Sequence, residues 1–240
     1  MRKSIKNDID RLLLPDVCVL CNDVLDTKER YVCSACRYKI SYPMEPTCLR
    51  CGREIADVES EYCAICAKQP RSFVAGFPAM NYQSPMDESL AAFKYHNQRA
   101  FAAFYAQAIW KQHGDKLKSL GIEAIIPVPI HEKKRRKRGY NQAEVLAEAL
   151  SAYLDVPVDN TLLVRTINTI PQKELNPFQR EINLKNAFQS TEKIVNYKKV
   201  LLVDDIYTTG ATVEACTQRL LEKNIEKIYY TSVCIGSGVG

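Results

Sequence analysis

No stretch of about eighteen apolar residues occurs in the chain, so nothing in it reads as a membrane-spanning helix. The basic start Met1-Arg2-Lys3 is followed by no apolar h-region, which leaves no secretory signal to read. The expectation is a cytoplasmic protein with no membrane insertion. There is also no low-complexity linker, and no tandem repeat beyond a spacing of cysteines. An apolar fraction of 46% excludes a disordered chain. The net charge of +5 permits a polyanionic partner without demanding one. At 240 residues the chain has room for one medium domain with an appendage, or two small domains.

Cysteine is what the chain has in excess: ten residues, eight of them in four C-x-x-C pairs. The pairs are Cys18/Cys21, Cys33/Cys36, Cys48/Cys51 and Cys63/Cys66, starting at a steady step of fifteen residues. Each pair can present two sulfurs to one metal, and two pairs complete a tetrahedral thiolate site. Two structural Zn(2+) ions are therefore expected. Four thiolates leave no open position for substrate water, which argues against a catalytic metal. Neighbouring pairs can combine, or the first can combine with the third and the second with the fourth. Even spacing does not decide between them. Residues 18–66 offer few periodic apolar runs, so metal binding would supply folding free energy that the local core cannot. Cys216 and Cys234 sit singly among apolar residues and read as small core residues.

The character of the chain changes near residue 70, which sets the expected division: a cysteine-rich zinc module at 1–70 and a second domain at 71–240. Gln69 to Tyr82 reads as strand-like pieces broken by Gly76 and Pro78. Ser84 is the expected N-cap of the next helix, with Pro85 at its first position. Its apolar face pauses at His96-Asn97, resumes from Phe101 to Ile109, and is expected to stop at Gly114. Strands are expected at 122–128, 161–164, 199–203 and 228–234. Helices follow from the spacing of Ala143, Leu146, Ala147, Leu150 and Leu154, and again over 211–221. This alternation predicts an α/β domain with a largely parallel sheet.

The most informative stretch is VLLVDDIYTTGAT, Val200 to Thr212. An apolar strand ends in Asp204 and Asp205, and open α/β sheets bind ligands beyond such strand ends. Thr208, Thr209, Gly210, Ala211 and Thr212 then lead into a helix whose first N–H groups have no intrahelical partner and can face an anion. Glycine allows a backbone shape that other residues resist, and the hydroxyls add donors. Carboxylates would repel phosphate, but they suit paired sugar hydroxyls or a magnesium-bound substrate. A sugar phosphate fits both halves. A plain solvent-facing turn is the alternative, and the ordered combination of residues argues against it.

That stretch resembles the phosphoribosyl-pyrophosphate signature of type I phosphoribosyltransferases. IPVPIHEKKRRKRGYNQAEVLAEAL resembles the competence-protein ComF family, also called ComFC or GntX-like proteins. Arg165, Thr169, Gln172, Leu175, Arg180, Asn183 and Ala187-Phe188 fit the same spaced pattern. The resemblance implies a type I phosphoribosyltransferase-like fold. Asp204 and Asp205 would hold the ribose hydroxyls, Thr208 through Thr212 the 5-phosphate, and Pro127-Val128-Pro129 would lie near the pyrophosphate turn. It implies Mg(2+) with phosphoribosyl pyrophosphate, attack at ribose C1 and departure of pyrophosphate. It also implies a setting in DNA uptake, with single-stranded DNA and competence helicase or DNA-processing proteins as partners. No base pocket is readable, so the acceptor stays open. So does a non-enzymatic module that binds single-stranded DNA or a partner and retains the sugar-phosphate pocket.

The basic run Lys133 to Arg138 admits several readings. It can be a solvated loop, or a mobile loop that closes over pyrophosphate with Gly139 as hinge and Arg135, Arg136 and Arg138 as anion donors. It can also track a single-stranded DNA backbone, with Tyr140 stacking on a base. His96 reads as a surface histidine. Arg165 and Arg180 are expected to anchor the connection between them or to touch an acceptor.

Overall fold

β-Branched and aliphatic runs separated by amphipathic segments build one parallel sheet flanked by helices. The computed structural model describes residues 16–167 and 187–237. Its sheet contains β1 (Gly76–Asn81), β2 (Ala124–Pro127), β5 (Lys199–Tyr207) and β6 (Lys227–Ile235), in the order β1-β6-β5-β2 with every pairing parallel. A separate antiparallel pair joins β3 (Leu163–Arg165) to β4 (Phe188–Ser190). The expected α/β class with a parallel sheet is observed.

Strand side chains alternate in direction, so each central strand feeds two cores. Leu201 and Val203 of β5 face one side with Ile125, Tyr229 and Val233, while Val200 and Leu202 face the other with Ala124, Ile126 and Ile228. The first core is covered by α2 (Met86–Tyr95), α3 (Phe101–Ser119) and α5 (Gln142–Leu154), through Leu90, Phe93, Tyr105, Ile109, Leu146 and Leu150. The second is covered by α6 (Ala211–Leu221) and the β3–β4 pair, through Val213, Cys216, Leu220 and Phe188. Each fully buried Leu or Phe contributes about 1.5–3 kcal/mol relative to exposure.

The cysteine-rich segment divides between the same two cores. Cys18 and Cys36, with Val19, Leu20 and Val32, join the first; Cys48, Cys51, Cys63 and Cys66 join the second. The short helix α1 (Ala64–Lys68) follows Cys63 and carries Cys66 inward. Cys216 and Cys234 are fully buried, as expected of core residues.

Several local expectations are corrected. Gly76 and Pro78 lie within β1 rather than breaking it. β1 is an edge strand, where a residue without an N–H is tolerated, and the Pro78 carbonyl accepts from His113 Nε2 at 2.9 Å. The N-cap of α2 is Pro85, not Ser84, because the Met86 N–H donates to the Gln83 carbonyl instead of a capping hydroxyl. Gly114 does not stop α3. It sits inside the helix, where a Cβ would come within 2.7 Å of the Trp110 ring, so its small size serves packing. The pause at His96-Asn97 is real: α2 ends at Tyr95 and Asn97 takes φ +55°.

Candidate functional site

β5 runs on past Val203, the last residue that β2 pairs, while its other edge stays bonded to β6 as far as Tyr207. The expected strand at 199–203 is therefore four residues too short. Asp204 and Asp205 lie within the strand where its β2-side partner has ended, and the opening there is a cleft of about 300 Å³. Asp204, Asp205, Ile206, Thr208 and Thr212 line one side of it, and Val128, Pro129 and Ile130 from the end of β2 line another. An adjoining recess of about 30 Å³ is lined by Thr208, Thr209, Gly210, Ala211 and Thr212. The acidic pair and the hydroxyl-rich turn thus share one continuous opening at the carboxyl end of the sheet.

The turn is shaped by its glycine. Gly210 takes φ +81° and is the N-cap of α6, and a Cβ there would lie 2.2 Å from the Tyr207 hydroxyl. Gly210 itself offers no capping side chain, and the Ala211 N–H reaches Thr209 Oγ1 only at 3.5 Å, a long contact that an entering anion can replace.

Among the described residues, four cations line the cleft, Lys94, Lys134, Arg138 and Arg165, against two aspartates. The excess of positive charge suits a ligand with several negative charges. Lys94 Nζ pairs with Asp205 Oδ2 at 2.9 Å. Burial by itself would lower the Lys94 ammonium, but Asp205 and then Asp204 outweigh it and its pKa is raised. Burial, then the charge of Asp205, pushes the Asp204 carboxyl up to about 7. The Asp205 N–H, which donates to Asp204 Oδ1 at 2.9 Å, works in the opposite direction, as do Lys94 and Arg165. Lys134 is held below its usual value by burial and then by Arg165, Arg138 and Lys94. An anion entering the cleft relieves this mutual repulsion.

The basic run is a helix, α4 (Glu132–Arg138), rather than a loop. His131 Nδ1 accepts from the Lys133 N–H at 3.1 Å at one end, and Gly139 closes the other at φ +81°. Gly139 is thus a helix cap. Residues four apart share a helix face, so Lys134 and Arg138 meet the cleft while Arg135 and Arg136 turn away. Arg135 is bound to Glu144 at 2.6 Å and Arg136 to Glu132 at 3.0 Å. Arg138 donates to Gln142 Oε1 at 2.8 Å and lies over the Tyr95 ring. Tyr140 is not free to stack on a base. It is buried, its hydroxyl donates to the Phe93 carbonyl, and Arg99 covers its ring at 4.5 Å.

Lys94 and Lys134 are cleft residues that the sequence did not single out for binding; reading 133–138 with helical spacing would have found the second. Asn141 is another. It caps α5 by accepting from the Ala143 N–H at 3.2 Å and donates to the Val128 carbonyl at 3.0 Å, tying the helix to the end of β2. Arg165 lies over the Phe188 ring and opens on the cleft. His96 is exposed and does not line it. Thr169, Gln172, Leu175, Arg180 and Asn183 lie outside the described residues.

Away from the cleft, neighbouring pairs of cysteines combine. Cys18, Cys21, Cys33 and Cys36 form one cluster, and Cys48, Cys51, Cys63 and Cys66 the other, each with its sulfurs within 4.8 Å of one another. A tetrahedron with Zn–S near 2.3 Å requires S···S separations of about 3.8 Å. Cys21 and Cys33 are 3.8 Å apart, and Cys51 and Cys63 are 3.7 Å apart. Backbone amides of Leu20, Cys33 and Cys51 point at the Cys18 and Cys48 sulfurs, as they do at thiolates. Both donor sets fit structural zinc.

Comparison with known proteins agrees with this division of chemistry. A double zinc ribbon domain matches residues 9–67, and a phosphoribosyl transferase domain matches residues 141–237. Competence protein F of Haemophilus influenzae is 32% identical over 88% of this chain and 93% of its own. This chain belongs to the ComF family. Other ComF-like relatives include the DNA utilization protein YhgH of Salmonella typhimurium, 27% identical over 93% of this chain and 98% of its own. Competence protein ComFC of Bacillus subtilis is 26% identical over 80% of this chain and 78% of its own. Among the described residues of this ComF-family chain, no helix is long and apolar enough to cross a membrane.

Proposed function

We propose that the cleft at the end of β5 binds phosphoribosyl pyrophosphate and transfers its 5-phosphoribosyl group to a nucleophilic acceptor, whose new bond to C1 replaces the one to pyrophosphate, in a DNA-uptake setting, as a ComF-family phosphoribosyltransferase. One observation carries the reading: a pair of carboxylates, a glycine-shaped turn at a helix N-terminus and four cations line one opening. The turn from Thr208 to Thr212 would take the 5-phosphate on its backbone amides and hydroxyls. Asp204 and Asp205 would accept from the ribose hydroxyls. Lys94, Lys134, Arg138 and Arg165 would face the pyrophosphate and stabilise charge on the departing oxygens as the bond to C1 breaks. Lys94 must then exchange its contact with Asp205 for one with the donor. The DNA-uptake setting comes from the relatives, whose names are competence protein and DNA utilization protein.

Mg(2+) prefers six oxygens in near-octahedral geometry. Among the described residues, the cleft lining offers two carboxylates, one already paired with Lys94. The ion would therefore enter with the donor's own phosphate oxygens, beside Asp204 and Asp205, and would supply charge neutralisation on the leaving group.

The test compares wild type with Asp204→Asn and Asp205→Asn in donor binding by calorimetry and in pyrophosphate release across a broad panel of acceptors. Saturable donor binding lost in both variants, with release in the wild type, supports the transferase. Binding without release on every acceptor reduces the function to a donor-binding module. Absence of donor binding in the wild type overturns the reading. Single-stranded DNA affinity, measured in the same variants, reports whether nucleic-acid contact depends on this cleft.

A further inference from the structure

The underside of the phosphate turn is held from the second cysteine cluster. Arg53, two residues after Cys51, is buried and donates from Nη2 to the Thr208 carbonyl at 2.7 Å. Arg71, just beyond the cysteine-rich segment, donates from Nη2 to the Thr209 carbonyl at 2.7 Å. Neither arginine lines the cleft or its recess, so both guanidinium groups reach the turn's carbonyls from outside the ligand opening. In a trans peptide the carbonyl of one residue and the N–H of the next point in opposite directions. Pulling the Thr208 carbonyl toward Arg53 therefore turns the Thr209 N–H the other way, and pulling the Thr209 carbonyl toward Arg71 does the same for Gly210.

The support beneath is tied by several further contacts. Tyr230 donates to the Cys51 carbonyl at 2.7 Å and stacks on Tyr207, with ring centroids 4.6 Å apart. Gly52, at φ +69°, lies so close to β1 that a Cβ there would be 2.5 Å from the Pro78 ring and 2.8 Å from the Gly76 carbonyl. Arg50 donates to the Phe73 carbonyl at 2.6 Å. The Cys48–Cys51 turn is thus fixed to β1, β6 and the start of the phosphate turn together.

We propose that Arg53 and Arg71 are positioning residues for anion capture: by holding the carbonyls of Thr208 and Thr209, they aim the Thr209 and Gly210 amides into the recess as a preformed phosphate nest. This assignment rests on the phosphate reading given above. It also gives the cysteine-rich segment a part in ligand binding without any ligand contact of its own.

The experiment uses the full chain, with ribose 5-phosphate as the probe and backbone amide chemical shifts as readout. In the wild type, the Thr209 and Gly210 amides move downfield on titration. Arg53→Met keeps the stem of the side chain but loses the donor; it should weaken ribose 5-phosphate binding about tenfold and abolish the Thr209 shift. Arg53→Lys restores a charged donor and should recover part of both. Arg71→Gln, at a partly exposed position, should act chiefly on the Gly210 shift, and it keeps the question answerable if Arg53→Met fails to fold. Wild-type binding matched by folded variants with both amide shifts intact overturns the positioning role and leaves the phosphate reading standing. Failure of the wild type to bind ribose 5-phosphate overturns both.

Discussion

Asp204→Asn should make the ligand-free protein more stable above neutral pH while removing donor binding. In the native state Asp204 is crowded by burial and by the charge of Asp205, and its carboxyl is pushed up to about 7. The unfolded value is about 3.9, so roughly three pKa units at about 1.36 kcal/mol each set a ceiling near 4 kcal/mol on the cost of keeping it ionised. The native state holds this proton more tightly than the unfolded chain does. Wild-type stability from this group therefore falls as pH rises from about 4 to about 7, and the cost is complete above that window. Asparagine has the same shape, can still accept from the Asp205 N–H and carries no charge. The assay is thermal unfolding of both proteins between pH 5.5 and 8, with zinc present throughout. The gap in melting temperature should open with rising pH, widening by up to about 4–8 °C between pH 5.5 and 8. A gap that does not change with pH, or a wild type more stable than Asp204→Asn at pH 8, refutes the reasoning. The same samples should show that the stabler protein no longer binds phosphoribosyl pyrophosphate, which would identify Asp204 as a group kept for its ligand at the expense of stability.

Three further outcomes follow from the geometry. Metal analysis of anaerobically purified protein should give two zinc ions per chain; Cys51→Ser should reduce this to one and lower the melting temperature, whereas folded protein with almost no zinc would refute the structural-metal assignment. Gly210→Ala places a Cβ against the Tyr207 hydroxyl on a backbone with positive φ, so it should cost about 1–3 kcal/mol and weaken ribose 5-phosphate binding, read by calorimetry; unchanged affinity would show that the turn does not hold phosphate. Arg138→Met should weaken pyrophosphate binding about tenfold while Arg136→Met leaves it unchanged, because only Arg138 lines the cleft; equal effects would mean that the run acts through diffuse charge alone.

The chemistry of the site was legible because it lies in short, contiguous stretches. Val200 to Thr212 contains the strand end, both acids, the glycine and the helix start, so local rules suffice to place them together. The C-x-x-C pairs are equally local, and their residue type limits what they can bind. Class of fold followed from periodicity, since a parallel sheet needs alternating strands and helices. Failures came where a local signal competes with packing. Gly114 looked like a stop, but α3 uses it to admit Trp110. Lys133 to Arg138 looked like a loop because charge masks helical spacing; His131 and Gly139 cap it, and the helix then turns Lys134 and Arg138 to the cleft. Tyr140 looked available for stacking, whereas its ring is packed on Phe93 beneath Arg99.

By itself, the sequence determined the alternation of strands and helices, the acid-and-hydroxyl turn and the four C-x-x-C pairs, because each depends on neighbours a few residues away. Tertiary structure alone decided that neighbouring cysteine pairs combine, that Lys94 reaches Asp205, and that Arg53 and Arg71 support the turn at Thr208 and Thr209. Those contacts span distances of 111 residues for Lys94 to Asp205 and 155 for Arg53 to Thr208. No local periodicity encodes such pairings; they arise when burial of the two faces of one sheet forces distant segments into the same few ångströms.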